Sequence, residues 1–241
     1  MGRKHSNLAR SLSMDITFTN TTGNENYPAP SPSSNFIPEW YKKIESYIGG
    51  NKKPNDNGAA TATVKKCMPV FDAITSGYMI LTPCDLWVEQ RDGKPYFIWL
   101  NAMIDWHPIQ QTEGHPASND GFDSPKFMNP WAIKTPKGYS VMIVHPMHQD
   151  LPFTILPGIV DTDGYIAPVN FPFKMNDPKF EGMIPKGTPM AQIIPFKRES
   201  WKMKSGSLQD IVDINNKVMN YFSTIFYDRY RNKWWNRKEY K

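Results

Sequence analysis

The chain reads as an all-β fold, and three observations carry that reading. Proline, at 22, outnumbers glycine, at 15, in 241 residues with few long helical patterns. From Thr63 onward, short apolar or alternating runs recur, each bounded by a turn signal such as Asp92-Gly93, Pro136-Lys137-Gly138 or Pro185-Lys186-Gly187. Between Leu156 and Trp201 two such signals stand close together. Gly158-Ile159-Val160 runs into Asp161-Thr162-Asp163-Gly164, which predicts a tight hairpin turn with a φ > 0 position at the glycine. Tyr165 to Phe171 then returns as a strand, pushed to an edge or a bulge by Pro168 and Pro172, which cannot donate to a ladder. Met190-Ala191-Gln192-Ile193-Ile194 reads as a buried strand whose glutamine must find partners.

Taken in order, residues 1–35 are rich in Ser, Asn, Thr and Pro and read as a disordered or extended arm. Met1-Gly2-Arg3-Lys4-His5-Ser6 fits a loose myristoylation pattern and Asn20-Thr21-Thr22 a glycosylation sequon, but a solvated basic start and a plain polar loop explain both. Residues 36–60 divide into a short amphipathic helix over Phe36–Ile48, with Trp40, Ile44 and Ile48 packing, and a polar linker. Residues 61–201 hold the strands. Trp87 to Trp99 predicts a hairpin around Asp92-Gly93, and 109–127 a long polar loop that is a lid, an interaction loop or simply mobile. Trp131 to Val144 predicts strand, turn, strand. Residues 202–241 form a long amphipathic helix, with Ser207-Leu208-Gln209-Asp210 as a capping box and Leu208, Ile211, Val212, Val218, Met219, Phe222, Ile225 and Phe226 on one face. Its end interleaves Arg229, Arg231, Trp234 and Trp235. That mixture suits stacking on bases with phosphate contacts, and it suits a protein-interface anchor equally.

Composition excludes several classes. With 39% hydrophobic residues the chain can bury one core. Cys67 and Cys84 are too few for a disulfide scaffold or a four-thiolate metal site, so an intracellular setting is expected. No run approaches the ~20 apolar residues of a membrane span. Residues 201–241 carry nine lysines and arginines against four acids, which accounts for the whole +5 excess and argues against a uniformly basic nucleic-acid-binding domain. Nucleic acid remains a possible partner through the tail alone. His145 and His148 are of a type that binds zinc or iron, but two histidines make no site, and they read as structural.

The segment Gly158–Tyr165 with Gly187-Thr188-Pro189-Met190-Ala191-Gln192 resembles the third and fourth motifs of the trimeric dUTPases and dCTP deaminases, G-(V/L)-I-D-x-D-Y-x-G and G-(D/E)-R-(I/V)-A-Q. Ser76-Gly77-Tyr78-Met79-Ile80 is similar to their first motif, A-G-(Y/A)-D-L, and His145-Pro146-Met147-His148 stands where the second, P-R-S, is expected. The resemblance implies a dUTPase-like β-clip barrel, a homotrimer, Asp161 as the general base and a nucleotide site formed by Tyr165, Gln192 and Gly187. Mg²⁺ would serve only if the hydrolase alternative holds.

The departures turn the expectation away from catalysis. Met79 replaces the first motif's carboxylate, the arginine and serine of the second motif are missing, Gly164 is inserted and Pro189 replaces an arginine. No glycine follows Gly206 to make a phosphate-cradling clamp. Each lost oxyanion-type donor is worth ~3 kcal/mol of transition-state stabilisation. The dCTP deaminase glutamate is not recognisable either. Ser34–Tyr41 and Pro195–Trp201 also resemble proteins of tailed bacteriophages. The expectation is therefore a non-catalytic, phage-encoded binding or structural protein, in the virion or the host cytoplasm, with virion or host proteins as partners and no cofactor. The alternative is a nucleotidohydrolase acting on dUTP or a related nucleotide through Asp161.

Overall fold

The computed structural model describes residues 14–53, 61–99, 103–115, 123–212, 216 and 229–241. The strands run β1 (Thr17–Asn20), β2 (Ser31–Pro32), β3 (Tyr78–Leu81), β4 (Leu86–Arg91), β5 (Lys94–Trp99), β6 (Ile104–His107), β7 (Ser124–Phe127), β8 (Trp131–Lys134), β9 (Tyr139–Val144), β10 (Phe153–Ile155), β11 (Gly158–Val160), β12 (Phe171–Met175), β13 (Gly182–Ile184) and β14 (Pro189–Lys197). Short helices α1 (Glu39–Lys43), α2 (Met68–Thr75) and α3 (Ile109–Thr112) interrupt them. The fold is mostly β, as expected. No helix among the described residues is long and apolar enough to cross a membrane.

The strands form a five-stranded sheet β11-β9-β14-β3-β2, a four-stranded sheet β10-β12-β7-β6, a three-stranded sheet β13-β4-β5 and the pair β1-β8. Among the described residues the strands make four separate sheets, so the barrel expected from the sequence is not closed. Alternation puts one face of β9 inward, where Val141 and Ile143 are buried while Met142 between them is exposed, whereas the central strand β14 is buried on both faces from Met190 to Ile193. The inward faces share a single core. At its centre Phe127 stacks on Phe173 with centroids 4.0 Å apart, and Phe153 meets both rings edge-on.

The hairpin around Asp92-Gly93 forms as predicted, with Arg91 opposite Lys94 and φ of 51° and 73° at the two turn residues. Elsewhere the structure corrects the expectations. Met68–Thr75, read as the start of the strand region, is helix α2, with Pro69 in its first turn and Ser76 as its C-cap. The expected helix over Phe36–Ile48 is cut down to a 3₁₀ turn and α1. Ile44 turns extended there, and the Lys65 ammonium bonds the carbonyls of Lys42 and Ile44. Tyr41 and Tyr47 are buried there, whereas Ile48 is 65% exposed.

The 109–127 loop contributes α3 and β7, so its two ends are ordered walls. Gly164 has no positive φ, and β11 does not pair with the returning chain. The arm is extended from Thr17, where β1 pairs with β8. Of the long C-terminal helix, residues 208–212 and Arg229–Lys233 are helical, residues 234–241 are not, and most of the span between lies outside the described residues.

Candidate ligand-binding site

One concavity arises where the chain leaving β10 and the chain entering β12 part company. Ile155 of β10 pairs with Phe173 of β12, and the Leu156 N–H donates to the Pro172 carbonyl at 2.8 Å. Beyond that bond the arms diverge: Gly158–Val160 joins β9 in the five-stranded sheet, while Phe171 and Pro172 join β7 in the four-stranded one. The fork leaves a cavity of about 370 Å³ between the edge strand β11 and residues 169–172. Its floor is apolar, from Ile143, Leu156, Val160, Val169 and Phe171. Its far wall is polar, from His107, Gln111, Thr112, His115 and Ser124. This is the size and composition of a small-molecule pocket.

The polar wall is held by its own bonds. His107 lies opposite Ser124 in the β6-β7 pair, and the Asp123 carboxylate accepts from the Ile109 N–H, fixing the start of α3. The Ser124 hydroxyl donates to Thr112 Oγ1 at 3.2 Å. His107 Nδ1 is 2.9 Å from Gln111 Oε1, which ties the imidazole to the first turn of α3.

Asp161 follows Val160 directly but serves a different structure. Its Oδ1 accepts from the Ser140 hydroxyl at 2.6 Å and lies 3.2 Å from Arg198 Nη1. Arg198 forks onto both oxygens of Asp163, which also accepts from the Gly138 N–H at 2.8 Å. Thr162 between them is buried, with its hydroxyl 2.8 Å from that of Thr135. The segment is thus a clasp that fastens the turn after β11 to β9 and to the end of β14.

Arg198, and secondarily the Gly138 N–H, holds the Asp163 carboxyl down to about 2 against an ordinary 3.8. A depressed acid stabilises the fold above its unfolded value and loses that contribution as pH falls through the folded one. The clasp is therefore expected to fail between pH 3.8 and about 2. Thermal melts across that window check it. Asp163→Asn is expected to melt lower at neutral pH and to lose less than the parent on acidification; an equal acid loss in both would mean the clasp contributes nothing.

The remaining predicted residues are scattered. Gln192 is wholly buried: its Oε1 accepts from the Met147 N–H, and its Nε2 donates to the carbonyls of Ala73 and Ser76. All its bonds are internal. Gln192 lies opposite Val144, whereas Ser140, the partner of Asp161, lies opposite Phe196. The two predicted residues therefore stand four residues apart along β9, about 13 Å at strand rise. Gly187, at φ +83°, makes the turn into β14, and its N–H donates to the Thr82 carbonyl. Tyr165 is 55% exposed and its N–H bonds the Asp161 carbonyl.

None of these four residues lines the fork cavity. The pocket residues His107, Gln111 and Ser124 were missed because their convergence depends on β6-β7 pairing across a polar stretch with no periodic signal. Burial pushes the His145 imidazole below its ordinary pKa. Among the described residues no group of three His, Cys, Asp or Glu could hold a metal ion.

The tail residues do reach the fold. The Trp235 indole N–H donates to both carboxylate oxygens of Asp72 in α2, at 2.9 and 3.0 Å, and Lys238 pairs with the same carboxylate. Arg231 and Trp234 are exposed near this contact, and the Arg229 side chain lies outside the described residues.

No protein-family model matches the chain, and no curated protein matches it. Among solved structures, a variant of the Staphylococcus bacteriophage 80alpha dUTPase with dUpNHpp is similar over 80% of this chain and 88% of its own, at 10% identity and a TM-score of 0.36. A variant of the dUTPase from phage phi11 of S. aureus, described with a structural Mg(II) ion, is similar over 80% of this chain and 97% of its own, at 11% identity and a TM-score of 0.37. The 80alpha dUTPase is similar over 80% of this chain and 96% of its own, at 10% identity and a TM-score of 0.34. At these identities and overlaps the likeness assigns neither a family nor an activity to the chain.

Proposed function

We propose that the chain is a non-catalytic binding protein whose ligand site is the fork between β11 and β12. The observation that supports this most is the fork itself. An edge strand and a diverging partner face each other across an apolar floor, with a hydrogen-bonding imidazole and hydroxyls on the opposite wall. Such a slot suits a flat, uncharged ring with donors and acceptors at its edge, the class to which nucleobases and nucleosides belong. Among the described residues no lysine or arginine lines it, so a triphosphate would meet no compensating charge from them. Asp161, the candidate base of the hydrolase alternative, has one oxygen engaged by Ser140 and Arg198. A phage setting, a homo-oligomeric state and virion or host partners belong to the same proposal and rest on the sequence resemblance alone.

A thermal-shift panel of free bases, nucleosides and dUTP with magnesium tests it. Bases or nucleosides are expected to raise the melting temperature, by an amount that corresponds to ~2.7 kcal/mol at a hundredfold excess over Kd. No pyrophosphate is expected from dUTP. Val169→Trp, which fills the slot, is expected to remove the shift, and Asp161→Asn to leave it intact. Pyrophosphate release that disappears in Asp161→Asn would replace this reading with the hydrolase.

A further inference from the structure

The C-terminal segment does not merely touch α2; it roofs a second cavity, of about 560 Å³, that the fork reading does not use. One wall is α2, with Phe71, Asp72 and Thr75; the other is the segment from Arg231 to Lys241. The charges around it do not cancel. Arg231, Arg237, Lys238 and Lys241 line it against two carboxylates, Asp72 and Glu239. Asp72 is saturated by Trp235 and Lys238. Glu239 is shared between Arg237 at 3.7 Å and Lys241 at 3.2 Å. Arg231 pairs with no carboxylate among the described residues and is exposed, so its guanidinium is available to an incoming anion.

The same cavity offers ring surfaces that are already oriented. Asp72 pins the Trp235 indole through its N–H, and Phe71 packs against that ring at 67° with centroids 6.4 Å apart. Tyr240 meets Tyr78 edge-on at 5.8 Å. Rings held in place in this way stack on an aromatic ligand without a further ordering cost. A surplus of cations beside fixed aromatic rings, in a volume within the range of small-molecule sites, selects for a phosphate joined to an aromatic base.

We propose that the cleft between α2 and the C-terminal segment binds a nucleoside monophosphate unit, either as a free nucleotide or as the phosphorylated end of a single strand. The two clefts are then complementary in charge preference: the fork takes an uncharged ring, and this cleft requires the phosphate.

Calorimetry on the full chain tests it with adenosine monophosphate, adenosine, inorganic phosphate, and an oligo(dA) with or without a terminal phosphate. The monophosphate or the phosphorylated strand is expected to bind at least about tenfold more tightly than adenosine or phosphate, and Arg231→Ala to weaken that binding about tenfold or more. Binding of both probes identifies a nucleotide site, and binding of the strand alone a strand-end site. Arg231 is exposed, so its removal leaves the fold intact, which an unchanged melting temperature confirms. Val169→Trp is expected to leave this binding unchanged. Binding lost in Val169→Trp but kept in Arg231→Ala would place the ligand in the fork and overturn the inference, as would binding by neither phosphorylated probe.

Discussion

Gly77→Ala is expected to destabilise the fold by about 3 kcal/mol or more, the sum of a left-handed backbone penalty and an overpacked contact. Gly77 joins the C-cap of α2 to β3 at φ +70°. A Cβ built there lies 2.0 Å from the Ile193 carbonyl oxygen and 2.9 Å from its carbon. Both atoms belong to the backbone of β14, in the middle of the five-stranded sheet, so neither can swing aside as a flexible side chain would. Relief requires β3 and β14 to separate at the Tyr78–Ile193 pair, the step that also seats α2 against the sheet. Gly138→Ala is the matched control: φ is +85° there, with no atom within 4 Å of the added carbon. It is expected to cost only the left-handed conformation, ~1–2 kcal/mol. Urea denaturation of the two variants isolates the clash, and equal midpoints would show that the sheet tolerates the added atom.

That close approach was only half visible in the amino-acid sequence. The motif Ser76-Gly77-Tyr78 can be seen in the sequence, but the atom above the glycine comes from Ile193, over a hundred positions later. Features that depend on neighbours in the chain were legible. The Asp92-Gly93 hairpin and the alternation of β9 and β4 needed only a period of two and a turn dipeptide. Helix α2 was misread because its apolar residues run straight into the β-rich Tyr78-Met79-Ile80-Leu81. Pro69 opens that helix from its first turn, where a missing N–H costs no intrahelical bond.

The site was less legible than the fold for the same reason. The divergence of β11 and β12 is decided by which sheet captures each arm, β9 on one side and β7 on the other. No local signal in Gly158–Pro172 records that choice. The composition of the basic and aromatic tail suited base stacking and a protein-interface anchor equally. Its anchoring carboxylate, Asp72, lies 163 positions away.

Gln192 is the clearest case in which a sequence expectation of partners can be turned into a measurement. Its amide joins three backbone groups from two separate segments: the carbonyls of Ala73 and Ser76 at 2.9 and 2.7 Å, and the Met147 N–H at 2.9 Å. Gln192→Leu keeps the volume but leaves all three without this partner in a part-buried setting, at ~1–3 kcal/mol each, so a loss of at least about 3 kcal/mol is expected. Gln192→Glu separates charge from shape. A carboxylate there can still accept from Met147, but it faces two carbonyl oxygens and no solvent, so its folded pKa is raised above the ordinary ~4.3 of glutamate. For an acid with a raised pKa the protonated form is favoured by the fold. The variant should be most stable below the unfolded value and lose stability as pH climbs from there to the folded one. Urea midpoints for Gln192→Glu are therefore expected to rise steadily on acidification toward pH ~4, while those of Gln192→Leu show no such added rise. A Gln192→Glu variant whose stability tracks Gln192→Leu at every pH would mean that water reaches the bracket and that α2 is held to the sheet by its apolar contacts instead.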